Sequence, residues 1–279
     1  MGDRVVRPPG DPGGGVRYGD LVIGRWRSEL MSVDWTHADG VPAEGTITGS
    51  VTGWRAGNSA PGDDVGQFNS IAVGADNNPR VAYWDATNNR LKFASCAGTT
   101  CRAHTVDMSG ANGRYASLAL VGGVPVIAYR AAVATMAGFN AVVRLARANN
   151  AAPTSPADWT LSDVATLASA CRPAECATGT VCLRTGRCGP MPMATSEVFD
   201  RTTVEALTPG AHYINLVAAA DGRLAVVWYH RDRGNLMLAR GDMMGRFSAP
   251  VVLDGEGAMM RDTGDRGIYA TAAFDREGL

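Results

Sequence analysis

Short runs of alternating or continuously apolar residues, arranged in groups of four, recur along most of this chain. In the first group the runs are Phe68–Val73, Arg80–Tyr83, Arg90–Ala94 and Arg102–Val106. Residues that favour turns separate the runs, as in Asp76–Pro79 and Thr87–Asn89. Runs of this length and period are typical of β-strands joined by hairpin turns. No segment keeps a helical period over three turns, so the pattern predicts units of four antiparallel strands.

The same order of runs returns from three later aromatic residues, Tyr115, Tyr213 and Tyr269. The step from Phe68 to Tyr115 is 47 residues. Four strands in about this number of residues match one blade of a β-propeller. We therefore predict an all-β fold, a β-propeller of four-stranded antiparallel blades with about four blades in this chain. An all-β solenoid, which usually has shorter repeats, is the second choice.

The spacing also suggests how the chain is divided. Residues 1–18 are polar and rich in Gly and Pro, which predicts a linker, and residues 19–279 hold the blades. The step from Tyr115 to Tyr213 is 98 residues, about one blade too long. The excess, roughly 165–208, contains four cysteines and is too short to bury a core of its own. We predict that it is a disulfide-rich insertion.

Upstream of Phe68 the pattern is weaker. The segments Asp20–Trp26, Glu29–Trp35 and Gly45–Trp54 are candidates for the second, third and fourth strands of a preceding blade. The run at Tyr269 could then supply the first strand of that blade and close a four-bladed ring. The alternative is a fragment of a larger ring, which we favour because the chain stops at Leu279, where a second strand should begin.

The charge balance argues against some partners. Lys and Arg number 26 against 27 Asp and Glu, so no basic surplus points to nucleic acid. No apolar run approaches the roughly 20 residues that a membrane helix needs. The segment Met1–Gly15 has no apolar stretch, so we expect no signal peptide in this chain. We expect no nucleic-acid partner and no membrane span, and the oligomeric state is left open.

The six cysteines favour an oxidising compartment. Cys96 and Cys101 flank a tight turn that could bring them together across a hairpin. The other four are clustered, at Cys171, Cys176, Cys182 and Cys188. Metal sites usually hold cysteines in C-x2-C pairs, and none occurs here. We predict disulfides, with three possible pairings in the cluster, and an extracytoplasmic location (secreted or cell surface) for a chain that begins inside a larger protein.

The phrase Ser70–Asp85, followed by Arg90–Ala94, resembles repeats in secreted bacterial propellers of the sialidase-like superfamily. The resemblance covers about Asp64–Leu279 without the insertion, and it implies the architecture rather than an activity. Members usually carry Asp-box turns, Ser-x-Asp-x-Gly-x-x-Trp, and this chain has none. The segment Cys171–Cys188 looks like the short cysteine-rich modules of secreted proteins, which imply export.

Candidate binding residues follow the second run of each group. Trp84, Arg130 and His230 each follow a tyrosine of the repeat, and all three can stack on ligand rings or form hydrogen bonds. Charged neighbours complete the predicted set: Asp85, Arg231 and Asp232. We identify no catalytic residues, because nothing places an acid and a base at a usable separation. Decoration of the propeller rim is the competing interpretation.

These patterns favour a non-enzymatic extracytoplasmic binding or scaffold propeller with a glycan or surface-protein ligand. One alternative is a sialidase-like glycoside hydrolase, and another is a surface adhesion protein that uses the exposed loops. The tripeptide Arg240-Gly241-Asp242 is a candidate adhesive element in one such turn. We expect no cofactor. We also expect no metal, because the histidines are scattered and the acidic spacing at Asp262 and Asp265 is only part of a calcium loop.

Overall fold

The fold is described from a computed structural model of the chain. The structure describes residues 19–43, 47–48, 50–52, 54–135, 138–167, 177–182, 188–190, 210–231, 234–255 and 265–275. Within these ranges the helical segments are two single turns, Trp54–Gly57 and Pro156–Asp158. None of the described helices is long and apolar enough to cross a membrane. The strands therefore carry the architecture.

The strands form hairpins and four-stranded sheets in chain order. A hairpin of β1 (Leu21–Arg27) and β2 (Ser32–Asp39) comes first. Blade 1 then consists of β3 (Val65–Val73), β4 (Pro79–Asp85), β5 (Arg90–Ala97) and β6 (Thr100–Asp107). Blade 2 consists of β7 (Asn112–Val121), β8 (Val124–Thr135), β9 (Gly138–Ala148) and β10 (Trp159–Leu167).

A short hairpin of β11 (Thr180–Cys182) and β12 (Cys188–Pro190) follows. Blade 3 consists of β13 (Ala211–Ala218), β14 (Arg223–His230), β15 (Asn235–Asp242) and β16 (Val251–Asp254). In each blade the neighbouring strands are also consecutive in the chain, and all pairs are antiparallel.

The blades stack face to face with their first strands side by side. Strand β3 packs against β7, and β7 packs against β13. Four-stranded antiparallel sheets that meet through their first strands are the architecture of a β-propeller, which confirms the predicted fold class. The hydrophobic core lies between the sheets. Leu91 and Phe93 of blade 1 pack with Ile127 and Tyr129 of blade 2, and all four are fully buried.

A hydrogen bond links the first strands of consecutive blades at corresponding positions. The Leu118 N–H donates to Ser70 Oγ at 3.0 Å, and the Leu216 N–H donates to Ser117 Oγ at 2.9 Å. The Ala272 N–H donates to Asn215 Oδ1 at 2.9 Å in the same way. Residues 265–275 form no strand. The Ala272–Asn215 bond nevertheless holds this segment against blade 3 at the place where the first strand of a next blade would lie.

A buried carboxylate joins blade 1 to blade 2. Asp107, at the end of β6, accepts a hydrogen bond of 2.7 Å from the Tyr129 hydroxyl and pairs with Arg144 Nη1 at 3.3 Å. Ser109 donates to it from both its backbone N–H and its hydroxyl. Burial alone would raise the pKa of Asp107, but these hydrogen bonds and Arg144 hold that pKa below its usual value. We call this arrangement the acid latch.

The first hairpin and blade 1 are joined by a second acid latch. Asp39, at the end of β2, accepts a hydrogen bond of 2.7 Å from Tyr83 Oη and pairs with the Lys92 ammonium. Asp39 lies opposite Leu21 as Asp107 lies opposite Leu91. Strands β1 and β2 therefore correspond to the third and fourth strands of a blade, rather than to the second and third strands as the sequence predicted.

The predicted fourth strand at 45–54 is not found among the residues described in that range. They contribute one isolated bridge, in which Ile47 pairs with Asn58. The reason lies in β2, which already supplies the fourth strand and ends in the acid latch. The chain between Asp39 and β3 is then a connection. Arg55 anchors it through a buried ion pair of 2.8 Å with Asp20.

Between blades 2 and 3 the acid latch is absent from the described residues, and apolar side chains take its place. Ala165 lies opposite Val143, as Asp107 lies opposite Leu91. The registers also place Trp228 at the position of Tyr129, and Met237 at the position of Arg144. Ala165, Trp228 and Met237 pack in one buried cluster. The acid, hydroxyl and cation are thus replaced together, so no charge is buried without a partner.

One of the predicted disulfides is confirmed. Cys96 and Cys101 lie opposite each other on β5 and β6 and form a disulfide. The backbones of Cys182 and Cys188 are partners across the β11–β12 hairpin. Cys171 and Cys176 lie outside the described residues, as does the predicted linker at 1–18. Strand β10 continues to Leu167, three residues into the range predicted for the insertion.

The acid latch predicts how stability depends on pH. We expect Asp107→Asn to lower the free energy of unfolding by about 2 kcal/mol at pH 7, because Arg144 and the Tyr129 hydroxyl lose a charged acceptor. The pKa of Asp107 is lower in the folded state than in the unfolded state. The stabilisation is therefore present above about pH 4 and is lost as the pH falls through the folded-state pKa.

Urea unfolding of both proteins at pH 7 and pH 3 measures this difference, which should be smaller at pH 3. Asp221→Asn, on an exposed side chain paired with Arg223, serves as the control and should change little. A difference between wild type and Asp107→Asn that is equally large at both pH values would contradict the prediction.

The Cys96–Cys101 disulfide predicts a response to reductant. We expect the double variant Cys96→Ala and Cys101→Ala to lose about 2 kcal/mol of unfolding free energy, because a short loop is no longer closed in the unfolded chain. Thermal unfolding with and without dithiothreitol tests this. The double variant isolates this bridge from the other four cysteines. If it unfolds at the same temperature as the oxidised wild type, the disulfide does not stabilise blade 1.

Candidate ligand-binding site

A β-bulge occurs at the same place in the first strand of each blade. In blade 1, Gln67 pairs with Trp84 and Ser70 pairs with Ala82, so Phe68 and Asn69 together oppose Tyr83. The registers of β7 and β13 shift in the same way around Tyr115 and Tyr213. An extra residue of this kind bends the strand and redirects its side chain.

The first residue of each bulge is aromatic and has a left-handed backbone. The φ angles are 50° at Phe68, 56° at Tyr115 and 52° at Tyr213, and Tyr269 has a φ of 58° in the segment beside blade 3. Bulky residues rarely adopt this conformation, which costs about 1 kcal/mol or more. Such strain, repeated on neighbouring strands, indicates that the direction of these rings is important.

The four rings lie side by side across the blades. The ring centroids are 4.5 Å apart for Phe68 and Tyr115, 5.4 Å for Tyr115 and Tyr213, and 4.2 Å for Tyr213 and Tyr269. We call these four residues the aromatic arc. Phe68 is 38% exposed and Tyr269 is 68% exposed, while Tyr115 and Tyr213 are partly buried. The arc therefore presents aromatic surface to solvent.

Polar side chains lie next to the rings. The His212 imidazole stacks on Tyr115 with a centroid distance of 4.7 Å, and its Nδ1 lies 3.1 Å from the Tyr115 hydroxyl. The Tyr229 hydroxyl donates to Asp265 at 2.5 Å. The Arg114 guanidinium lies over the Trp84 ring, 4.2 Å from its centroid. Hydrogen-bonding groups thus border the exposed rings, an arrangement common in ligand sites.

The residues predicted from the sequence lie deeper than expected. Trp84, Arg130 and His230 are between 5% and 9% exposed. Asp85 is also buried, and both of its oxygens accept hydrogen bonds from Asn88, so it stabilises the turn after β4. Arg231 is partly exposed, and Asp232 lies outside the described residues. Of this set, Trp84 contacts the aromatic arc directly, with its ring 5.8 Å from that of Phe68.

The predicted equivalence of Trp84, Arg130 and His230 needs one correction. Trp84 pairs with Gln67, Arg130 pairs with Arg114, and Tyr229 pairs with His212. The structural counterpart of Trp84 and Arg130 is therefore Tyr229. The sequence alignment of blade 3 is shifted by one residue. It matches Tyr229 to Tyr83 and Tyr129, whereas Trp228 occupies their position in the structure.

The tripeptide Arg240-Gly241-Asp242 lies at the end of β15 and opens the turn to β16. The Asp242 carboxylate accepts a hydrogen bond from the Met244 N–H at 2.9 Å and pairs with Arg246 at 2.6 Å. The hydrogen bond from Arg246 is the main reason that the pKa of Asp242 is low. This carboxylate is therefore part of the turn in the folded chain.

No group of three or more His, Cys, Asp or Glu side chains suited to a metal ion occurs among the described residues. The sequence reasoning used Phe68 and the tyrosines as markers of the repeat and did not identify them as a site. A signal was present, since glycines with positive φ precede three of these aromatics by two residues, at Gly66, Gly113 and Gly267. Such a glycine before an aromatic residue is compatible with a distorted strand.

Comparisons with known proteins give distant structural similarities. No family model and no curated protein matches the chain. Among solved structures, an α-L-arabinofuranosidase from Lactobacillus brevis matches with 15% identity and a TM-score of 0.39, covering 68% of this chain and 54% of that one. An α-L-arabinofuranosidase from Fusarium graminearum, in complex with an iminosugar inhibitor, matches with 11% identity and a TM-score of 0.38. That match covers 70% of this chain and 50% of the arabinofuranosidase.

An α-L-arabinanase from Cellvibrio cellulosa, complexed with arabinohexaose, matches with 10% identity and a TM-score of 0.26, covering 71% of this chain and 76% of that one. The chain spans about half the length of the two arabinofuranosidases. Similarities at this level do not assign a ligand, so the function has to be argued from the aromatic arc itself.

Proposed function

We propose that this chain is a non-enzymatic, extracytoplasmic carbohydrate-binding propeller and that the aromatic arc is its binding surface. The observation that carries the proposal is the row of four aromatic rings, each on a left-handed residue at the start of the first strand of a blade or of the segment beside blade 3. Membership of the sialidase-like superfamily and a disulfide-rich insertion that begins after Leu167, within the predicted range 165–208, are parts of the same proposal.

Sugars suit this surface for a physical reason. One face of a sugar ring presents C–H groups, which pack on an aromatic face, while the hydroxyl groups need hydrogen-bond partners at the edge of the ring. Tyrosine satisfies both needs because its body is apolar and its tip is polar. A row of four rings can contact more than one sugar unit, so we expect the chain to bind oligosaccharides more tightly than monosaccharides.

The backbone strain supports a role in binding. An aromatic residue at positive φ costs folding free energy that a residue such as asparagine or glycine would largely avoid. Phe68, Tyr115, Tyr213 and Tyr269 nevertheless share this conformation. Packing between the rings offsets part of this cost. The exposure of Phe68 and Tyr269 leaves ring surface that a ligand can cover.

The disulfide in blade 1 supports the proposed extracytoplasmic location. Cys96 and Cys101 are bonded across two strands of blade 1. Stable disulfides form in oxidising compartments and are rare where the cytoplasm keeps thiols reduced. We therefore place the binding surface outside the cytoplasm, where the polysaccharides of cell walls and extracellular matrices are accessible.

Removal of one ring from the aromatic arc should weaken saccharide binding. We expect Tyr213→Asn to raise the dissociation constant for oligosaccharides about tenfold, because the ring contact is lost. Asparagine tolerates the left-handed backbone at this position, so the bulge should persist. Isothermal titration calorimetry with a panel of plant and bacterial oligosaccharides measures the effect, and circular dichroism checks the fold.

Two matched variants complete the test. Tyr213→Phe keeps the ring and should keep most of the affinity. Trp26→Ala removes an aromatic side chain that is 60% exposed on β1, outside the arc, and should leave binding unchanged. If no saccharide in the panel binds, the proposed function is wrong. Release of shortened products from a bound oligosaccharide would show an enzyme and contradict the non-enzymatic part.

A further inference from the structure

One cation beside the aromatic arc has no evident role in the packing of the blades. Arg114 lies on β7, directly before Tyr115, and it is partly exposed. Its guanidinium lies over the Trp84 ring, with 4.2 Å between the central carbon and the ring centroid. Phe68 packs against both Trp84 and Tyr115, so the ring that the guanidinium covers is in contact with the aromatic arc.

Arg114 has no polar partner in the part of the chain that the structure describes. By contrast, Arg55, Arg80 and Arg144 each pair with a carboxylate. A guanidinium carries five N–H donors in a rigid plane, and stacking on an indole leaves the donors at its edge available. The guanidinium thus stacks on a ring, and no polar group among the described residues uses its hydrogen-bond donors.

A second donor beside it is also unused. Trp84 is 7% exposed, and its indole Nε1 is buried without a hydrogen-bond partner among the described residues. Buried donors in folded proteins are nearly always satisfied, so one without a partner needs an explanation such as a ligand or an ordered water molecule. Two unused donors therefore occur next to each other, and the aromatic arc lies beside them.

The corresponding positions in the other blades are different. The residue before the left-handed aromatic is Gln67 in blade 1, His212 in blade 3 and Ile268 in the segment beside blade 3. His212 uses its ring to contact Tyr115. Arg114 is therefore the permanently charged member of this set, and a charge placed once along a row of rings favours recognition of one particular group on a ligand.

We propose that Arg114, held by Trp84, binds the carboxylate of an acidic saccharide, such as a uronic acid unit, whose ring packs on Phe68 or Tyr115. A planar guanidinium matches a carboxylate through two parallel hydrogen bonds, which a lysine does not reproduce. The proposal rests on the proposed carbohydrate-binding function and adds the class of sugar. In consequence, Arg114 determines specificity, and the rings supply affinity for sugars in general.

The test compares two ligands with the same sugar units, one with free carboxylates and one in which methyl esters remove the charge. The probes are a galacturonic acid oligosaccharide and the same oligosaccharide with its carboxylates methyl-esterified. We expect the wild-type chain to bind the acidic form about tenfold more tightly. This preference should decrease as NaCl is raised from about 50 to 500 mM, because salt screens the charge pair. Binding of the ester should not depend on salt.

Variants of Arg114 isolate its contribution. Arg114→Gln should remove the preference for the acidic form and leave binding of the ester within about twofold of wild type. Arg114→Lys should keep only part of the preference for the acidic form. The lysine ammonium retains the charge, but it cannot stack flat on Trp84 or form two parallel hydrogen bonds to a carboxylate. Arg240→Gln, an exposed arginine opposite Ala225 on the third strand of blade 3, is the control and should behave as wild type.

The outcomes separate the two proposals. Equal binding of both forms, unaffected by Arg114→Gln, would overturn the acidic-sugar inference and leave the carbohydrate-binding proposal in place. Binding of neither form, together with failure of the wider saccharide panel, would overturn the proposed function itself. If a poly-glutamate peptide binds as tightly as the acidic oligosaccharide, the site recognises carboxylates without a sugar, and the inference is also wrong.

Discussion

The left-handed backbone of one aromatic residue per first strand is the constraint on which the candidate site depends. Phe68, Tyr115 and Tyr213 each begin a bulge, and the residue two positions later accepts a backbone hydrogen bond from the next blade or, after blade 3, from the segment 265–275. The bulge sets the direction of the ring, and the hydrogen bond fixes the neighbouring strand against it. Local strain is therefore maintained by the packing of the blades, and the same contacts bring successive rings within 5.4 Å of each other.

The blade interfaces reach stability by two different means, and both leave the aromatic arc in place. The first hairpin, blade 1 and blade 2 are joined by acid latches, in which Asp39 or Asp107 receives a tyrosine hydroxyl and a cation. Blades 2 and 3 are joined by Trp228 and its apolar neighbours. A buried carboxylate is stabilising only when all its partners are present. At the interface of blades 2 and 3 the carboxylate, the hydroxyl and the cation are therefore replaced together by apolar side chains.

Much of the fold could be predicted from the sequence, because strand period and turn residues are local signals. The four runs of the first group became β3–β6, and the turn between Cys96 and Cys101 predicted their disulfide. The register of blade 3 could not be predicted, since Trp228 in place of a tyrosine shifted the alignment by one residue. The site could not be predicted either, because Phe68 and Tyr115 become neighbours through bulges and blade stacking, which no single run of residues encodes.

The central claim is that a saccharide binds on the rings of the aromatic arc. Nuclear magnetic resonance of the chain with selectively labelled aromatic residues, titrated with an oligosaccharide that binds in calorimetry, tests it most directly. The account predicts shifts and line broadening that are largest for Phe68, Tyr115, Tyr213 and Tyr269, with Trp26 on β1 of the first hairpin unaffected. Shifts centred on Trp26, or on the turn at Asp242, with unchanged signals from the four arc residues, would contradict it.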